Sequence, residues 1–132
     1  MIGGLIVTHG RLAIELLNAA EQIVGEIHNV AAVSLGWHDD ADTAAATVAK
    51  AIERVRTPDG VLILTDMFGG TPSNIAFSFH EPGRVDVLTG VNLPMIIKIA
   101  GQQEGESLES VAKTVREQGK SSISMASDFL GT

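Results

Sequence analysis

Apolar runs of strand length alternate with segments of helical period along this chain, and that alternation restricts it to layered α/β architectures more than any other feature does. Ile2 to Thr8 reads as a buried strand. Leu12 to Val24 places Leu12, Leu16, Ala19, Ala20 and Ile23 at helical spacing, with Gly25 as a stop. Val30 to Leu35 is a second strand. Asp39, Asp40 and Asp42 suit the start of the next helix, in which Ala45, Val48, Ala49, Ile52 and Val55 form an apolar stripe. Thr57-Pro58-Asp59-Gly60 then turns the chain into a third strand, Val61 to Thr65.

Pro72 to Phe77 is predicted as a short helix, because the missing N–H of proline costs nothing at a first helical position. Val85 to Leu88 is the fourth strand, and Asn92 and Pro94 lead into a helix over Leu93 to Ala100. The polar stretch Gln102 to Glu106 is expected at the surface. Ser107, with Glu109 and Ser110, opens a further helix that turns Leu108, Val111, Ala112 and Val115 inward and stops at Gly119. Beyond it Ile123 and Met125 alternate with serines, the period of an edge strand. This order predicts right-handed crossovers and an open, doubly wound, mostly parallel sheet covered by helices on both faces.

Two of those strands end in residues that carry chemistry. The apolar run Ile2 to Val7 leads into Thr8-His9-Gly10, and the run Val61 to Leu64 leads into Asp66 and then Gly69-Gly70-Thr71-Pro72. In a doubly wound sheet with a central first strand, the ends of strands one and three line the crevice where such folds keep their ligands. His9 and Asp66 would then be neighbours. A carboxylate on one ring nitrogen fixes the tautomer, frees the other nitrogen's lone pair, and stabilises the cation formed when that nitrogen is phosphorylated. The glycine turn, through Gly69, Gly70, Thr71 and the helix start beyond Pro72, offers backbone donors to phosphoryl oxygens. The hydroxyls of Thr8 and Thr71 could add to them. By itself the glycine turn reads equally well as plain helix entry.

Composition narrows the partners. Nine Lys and Arg against sixteen Asp and Glu give a net charge of -7 with no basic stripe, which excludes nucleic acid. Without cysteine there is neither a disulfide framework nor thiolate chemistry. No secretory leader and no apolar stretch near ~18 residues is evident, so a cytoplasmic protein is expected, reaching any membrane through a partner. No repeat or linker divides the 132 residues, and one domain is expected over 1–132. His38 beside Asp39, Asp40 and Asp42 matches no established metal-loop spacing, and Arg11, His28 and His80 read as surface residues. Trp37 is either a buried edge residue or a partner contact. No cofactor or metal is expected.

Three segments together, Thr8-His9-Gly10, Leu64-Thr65-Asp66-Met67-Phe68-Gly69-Gly70-Thr71-Pro72-Ser73-Asn74 and Thr89-Gly90-Val91-Asn92-Leu93-Pro94-Met95, resemble the enzyme IIA component of the mannose family of the bacterial phosphoenolpyruvate-dependent sugar phosphotransferase system. The resemblance in element order covers nearly the whole chain. It implies that His9 is the phosphorylated residue and that Asp66 hydrogen-bonds its ring. It implies a sheet of order 2-1-3-4 with an added antiparallel strand near the C-terminus, around Ile123, exchanged in a homodimer. It also implies a histidine-containing phosphocarrier protein as donor, a separate IIB component as acceptor, and membrane sugar-transport subunits further on. The loop Gly36-Trp37-His38-Asp39-Asp40 departs from the family pattern. Two other readings stand beside this one. The first is a regulatory phosphoprotein, or a phosphoryl donor to a kinase as in the dihydroxyacetone kinase system. The second is a non-catalytic flavodoxin-like anion binder, against which the absence of Gly-x-x-x-x-Gly-Lys and Gly-x-Gly-x-x-Gly argues.

Overall fold

A computed structural model describes residues 1–131. Four strands form one parallel sheet: β1 (Gly3–His9), β2 (Val30–Leu35), β3 (Val61–Thr65) and β4 (Val85–Thr89), in the order β2-β1-β3-β4. The 2-1-3-4 order is the one the resemblance implies. β1 and β3 are central and apolar along nearly their whole length, as strands covered on both faces must be. The register sets Val7 opposite Thr65 and His9 opposite Leu35, so the ends of β1 and β3 lie level at the carboxyl edge.

Side chains alternate between two cores. Ile2, Ile6, Leu62 and Leu64 face α1 (Leu12–Val24), α4 (Leu93–Ala100) and α5 (Leu108–Ser121). Leu5, Val7, Val61 and Ile63 face α2 (Ala41–Val55) and α3 (Thr71–Ser78). The helix starts are capped where polar residues were expected to cap them. Asp40 Oδ1 accepts the N–H groups of Asp42 at 2.8 Å and Thr43 at 3.2 Å, Asn92 Oδ1 accepts from Met95, and Ser107 Oγ accepts from Ser110.

Several expectations need correction. In α1 the inward residues are Ala13 and Ala20 with Leu16 and Leu17 beside them, while Leu12 and Ile23 are exposed and Ala19 faces solvent. The helix is apolar on more than one side, so spacing alone selects no single face. Gly119 does not end α5, which runs to Ser121. It is a point of close approach: an added Cβ would lie 2.6 Å from Met95 Sδ, and Asn92 Nδ2 donates to the Gly119 carbonyl at 3.1 Å. Gln102, expected at the surface, is half-buried and clamps the start of β1, accepting from Ile2 N–H at 2.8 Å and donating to Ile2 O at 3.1 Å.

The edge strand expected at Ile123 and Met125 does not form, and among the described residues the sheet is bounded by β2 and β4. The backbone here satisfies itself locally instead of along a ladder. Ser122 N–H donates to Gln118 O, and the chain turns into α6 (Ala126–Leu130), with Asp128 N–H on Met125 O. Ile123, Met125, Phe129 and Leu130 are all exposed.

Candidate functional site

His9 closes β1, and its position is held by the β2 ladder and by Gly10 N–H donating to Leu35 O at 2.8 Å. Asp66 follows directly on β3. The two meet as expected. Asp66 Oδ2 accepts the His9 main-chain N–H at 3.0 Å and lies 2.7 Å from His9 Nδ1, while Oδ1 accepts the Met67 N–H at 2.9 Å. An ionised carboxylate only accepts, which assigns the hydrogen to Nδ1 and leaves the lone pair of the neutral ring on Nε2. The two side chains are 23% and 13% exposed, so the ring is reachable and its acidic partner is mostly covered.

Partial burial by itself would raise the Asp66 pKa. The hydrogen bonds from the His9 main chain and ring, the charge of that ring when protonated and the Met67 N–H outweigh it, and hold the carboxyl below its ordinary value. Asp66 therefore stays ionised at neutral pH.

The glycine turn faces the free nitrogen. A Cβ added to Gly70 would lie 2.7 Å from His9 Cε1 and 3.1 Å from Nε2, so only glycine lets the turn come this close. Gly69 takes φ 93°, the left-handed region that favours glycine. The N–H groups of Gly69 and Gly70, however, are engaged with Ser73 Oγ, at 2.9 and 3.1 Å, and Ser73 Oγ donates back to Gly70 O at 3.0 Å. This revises the expected donor set. In this arrangement the amide of Thr71, in the first turn of α3, has no acceptor further back within the helix and is the one open to an anion. Thr71 is exposed at the helix start.

Thr8 is also corrected. It is fully buried, and its hydroxyl accepts the Ala13 N–H at 2.7 Å, which ties the entry of α1 to the end of β1. Arg11 extends into solvent beside Glu15, and Asn92 serves the α4 cap. His28 and His80 are exposed. Among the described residues, no three His, Cys, Asp or Glu side chains gather as metal ligands would.

Two residues at the site went unassigned in the sequence. Ser73 organises the glycine turn, and its position three residues after Gly70, just inside a helix start, was the available signal, since a polar N3 side chain reaches back to free N–H groups there. Trp37 is neither buried nor remote: its indole stacks on the His9 ring, with centroids 4.9 Å apart and planes 19° from parallel, and stays 73% exposed. Nothing in sequence spacing signals that contact. Met67 and Phe68 are exposed on the rim, where Phe68 packs edge-on against Phe77 at 5.9 Å. No helix among the described residues is long and apolar enough to cross a membrane.

Residues 3–116 match the family model described as PTS system fructose IIA component. The fructose-specific enzyme IIA component of Bacillus subtilis is 31% identical over 131 residues, covering 98% of this chain and 90% of that protein. The mannose-specific enzyme IIAB component of Escherichia coli is 29% identical over 121 residues, 90% of this chain but 38% of that longer protein. Among solved structures, the mannose/sorbose specific IIA subunit from Enterococcus faecalis superposes with a TM-score of 0.83 at 30% identity, covering 94% of this chain and 93% of the other. An enzyme IIA component from Streptococcus agalactiae shares the fold with a TM-score of 0.86 at 23% identity, covering 97% and 99%.

Proposed function

This chain belongs to the mannose-type IIA family of the phosphotransferase system, and from that premise we propose that His9 is a phosphohistidine carrier, accepting a phosphoryl group from the histidine-containing phosphocarrier protein and passing it to a IIB component for sugar uptake. The observation that carries this reading is the ring held by Asp66 at Nδ1 with the Gly70 turn against Nε2. In the transfer, Nε2 attacks phosphorus in line as the donor's P–N bond breaks, and the donor nitrogen recovers its lone pair. The Nδ1 proton stays on the ring beside Asp66, whose charge offsets the positive charge the ring acquires. The first turn of α3 receives the phosphoryl oxygens, and a helix N-terminus favours such an anion by about 0.3 to 2 kcal/mol. Little else is required, because phosphoryl transfer depends mainly on position and charge.

The same reading takes residues 1–132 as one IIA domain working in the cytoplasm, with membrane sugar-transport subunits reached only through IIB. It takes the assembly to be a homodimer, in which a second copy covers the exposed Ile123, Met125, Phe129 and Leu130. Sedimentation as a monomer at working concentration rejects that assembly.

Incubation with phosphoenolpyruvate, enzyme I and the phosphocarrier tests the carrier role. An acid-labile, base-stable adduct is expected in the wild type and in His38→Ala and is lost in His9→Ala. Its retention in His9→Ala refutes the proposal.

A further inference from the structure

Trp37 lies in the loop between β2 and α2, with one face of its indole against the His9 ring and the other open to water. An exposed loop tryptophan has no intrinsic reason to hold one place, but this loop is closed at both ends. Asp39 Oδ2 accepts the Gly36 N–H at 2.8 Å and Asp39 N–H donates to Gly36 O at 3.3 Å, while Asp40 caps α2 immediately after. The turn therefore presents the indole. His9 is bounded on three sides: Asp66 at Nδ1, Gly70 beside Cε1 and Nε2, and Trp37 over a face of the ring.

We propose that Trp37 is a positioning residue for phosphoryl carriage, its π face keeping the His9 ring against Asp66 and favouring the cationic ring that exists while Nε2 bears phosphorus. This rests on His9 being the carrier. With phosphorus on Nε2 and hydrogen on Nδ1, both nitrogens are substituted and the ring is formally positive. Loss of the group to water forms an O–P bond, breaks the Nε2–P bond, releases dihydrogen phosphate and returns the ring to neutrality. An indole face attracts the cation and has less hold on the neutral ring, so it opposes that loss. It also moves the equilibrium of transfer from the donor towards this chain. A residue that only touched a partner protein would change rates of transfer and leave both the lifetime of the isolated adduct and the equilibrium alone.

The full chain is phosphorylated with phosphoramidate, a small phosphoryl donor that needs no partner protein, and loss of the adduct is followed by intact mass at one pH. Adducts of Trp37→Ala and Trp37→Leu are expected to hydrolyse about 2- to 30-fold faster than the wild type, the range a cation–π contact spans, and Trp37→Phe is expected to recover most of the lifetime. Trp37 is the chain's one tryptophan, so wild-type emission should change on phosphorylation and stay constant in His9→Ala given the same reagent. Equal lifetimes in all four chains, or Phe no better than Leu, or emission indifferent to phosphorylation, overturns the role of Trp37 and leaves His9 as carrier. A wild-type chain that takes no phosphoryl group overturns the carrier function and this proposal with it.

Discussion

One oxygen of Asp66, Oδ2, receives both the main-chain N–H of His9 at 3.0 Å and its ring nitrogen Nδ1 at 2.7 Å, so a single carboxylate oxygen fixes the end of β1 and the side chain that end carries. Backbone and ring cannot shift independently. Replacing Asp66 by Asn removes the charge and introduces a competing donor, which loosens the tautomer. Phosphorylation of Asp66→Asn is expected to slow by about 10- to 100-fold, by analogy with loss of the hydrogen-bond partner of a metal-ligating histidine. Single-turnover kinetics with phosphorylated carrier checks this, and an unchanged rate removes the orienting role.

The depressed Asp66 pKa has a stability consequence with a definite sign. A carboxyl with a lower pKa folded than unfolded contributes stability above the unfolded value, about 3.9, and loses it as pH falls through the folded value. The stability difference between wild type and Asp66→Asn should therefore shrink as pH falls below about pH 4, where the carboxylate itself is protonated. Urea unfolding across that range measures it. A difference that grows as pH falls below about pH 4 contradicts the assignment.

Gly70→Ala tests the closeness of the turn to the ring. Gly70 has φ -114° and ψ 176°, extended backbone open to alanine, so the added methyl acts by contact and not by strain. At 2.7 Å from His9 Cε1 it must displace the ring or the turn. Misplacement by about 1 Å can cost on the order of 100-fold in transfer rate. The variant should phosphorylate at least about 10-fold more slowly while melting near the wild-type temperature.

Ser73→Ala removes the acceptor shared by the Gly69 and Gly70 N–H groups and the donor to Gly70 O. Ser73 is fully buried, so water does not simply replace it. A loss of about 1 to 3 kcal/mol in unfolding free energy is expected. Chemical denaturation with an unchanged slope and a lower midpoint checks it; no change means the hydroxyl does not hold the turn.

The sheet was legible because the runs Ile2 to Val7 and Val61 to Leu64 in its central strands are free of polar side chains and are punctuated by turn residues. Once β1 is central, the topology leaves little freedom in where His9 and Asp66 lie. The misread features depend on contacts that spacing does not encode. The inward face of α1 was ambiguous because Leu12, Ala13, Leu16, Leu17, Ala19 and Ala20 are all apolar, and only packing against α4 and β2 distinguishes Ala13 from Leu12. Gly119 has the composition of a helix stop but answers to Met95, 24 positions earlier in the chain. The stack of Trp37 on His9 joins the loop after β2 to the end of β1 across the sheet edge. Serines around Ile123 and Met125 carry a strand period, yet in one copy of the chain no ladder is there to receive them.

The most direct test of the account is the identity of the phosphorylated nitrogen. Heteronuclear NMR of the phosphorylated chain, with histidine labelled at both ring nitrogens, distinguishes Nε2 from Nδ1 by the phosphorus–nitrogen coupling. Because Asp66 holds Nδ1 and Gly70 faces Nε2, the adduct is predicted on His9 Nε2 alone. Phosphorus on Nδ1, on any other histidine, or on no histidine at all would contradict it.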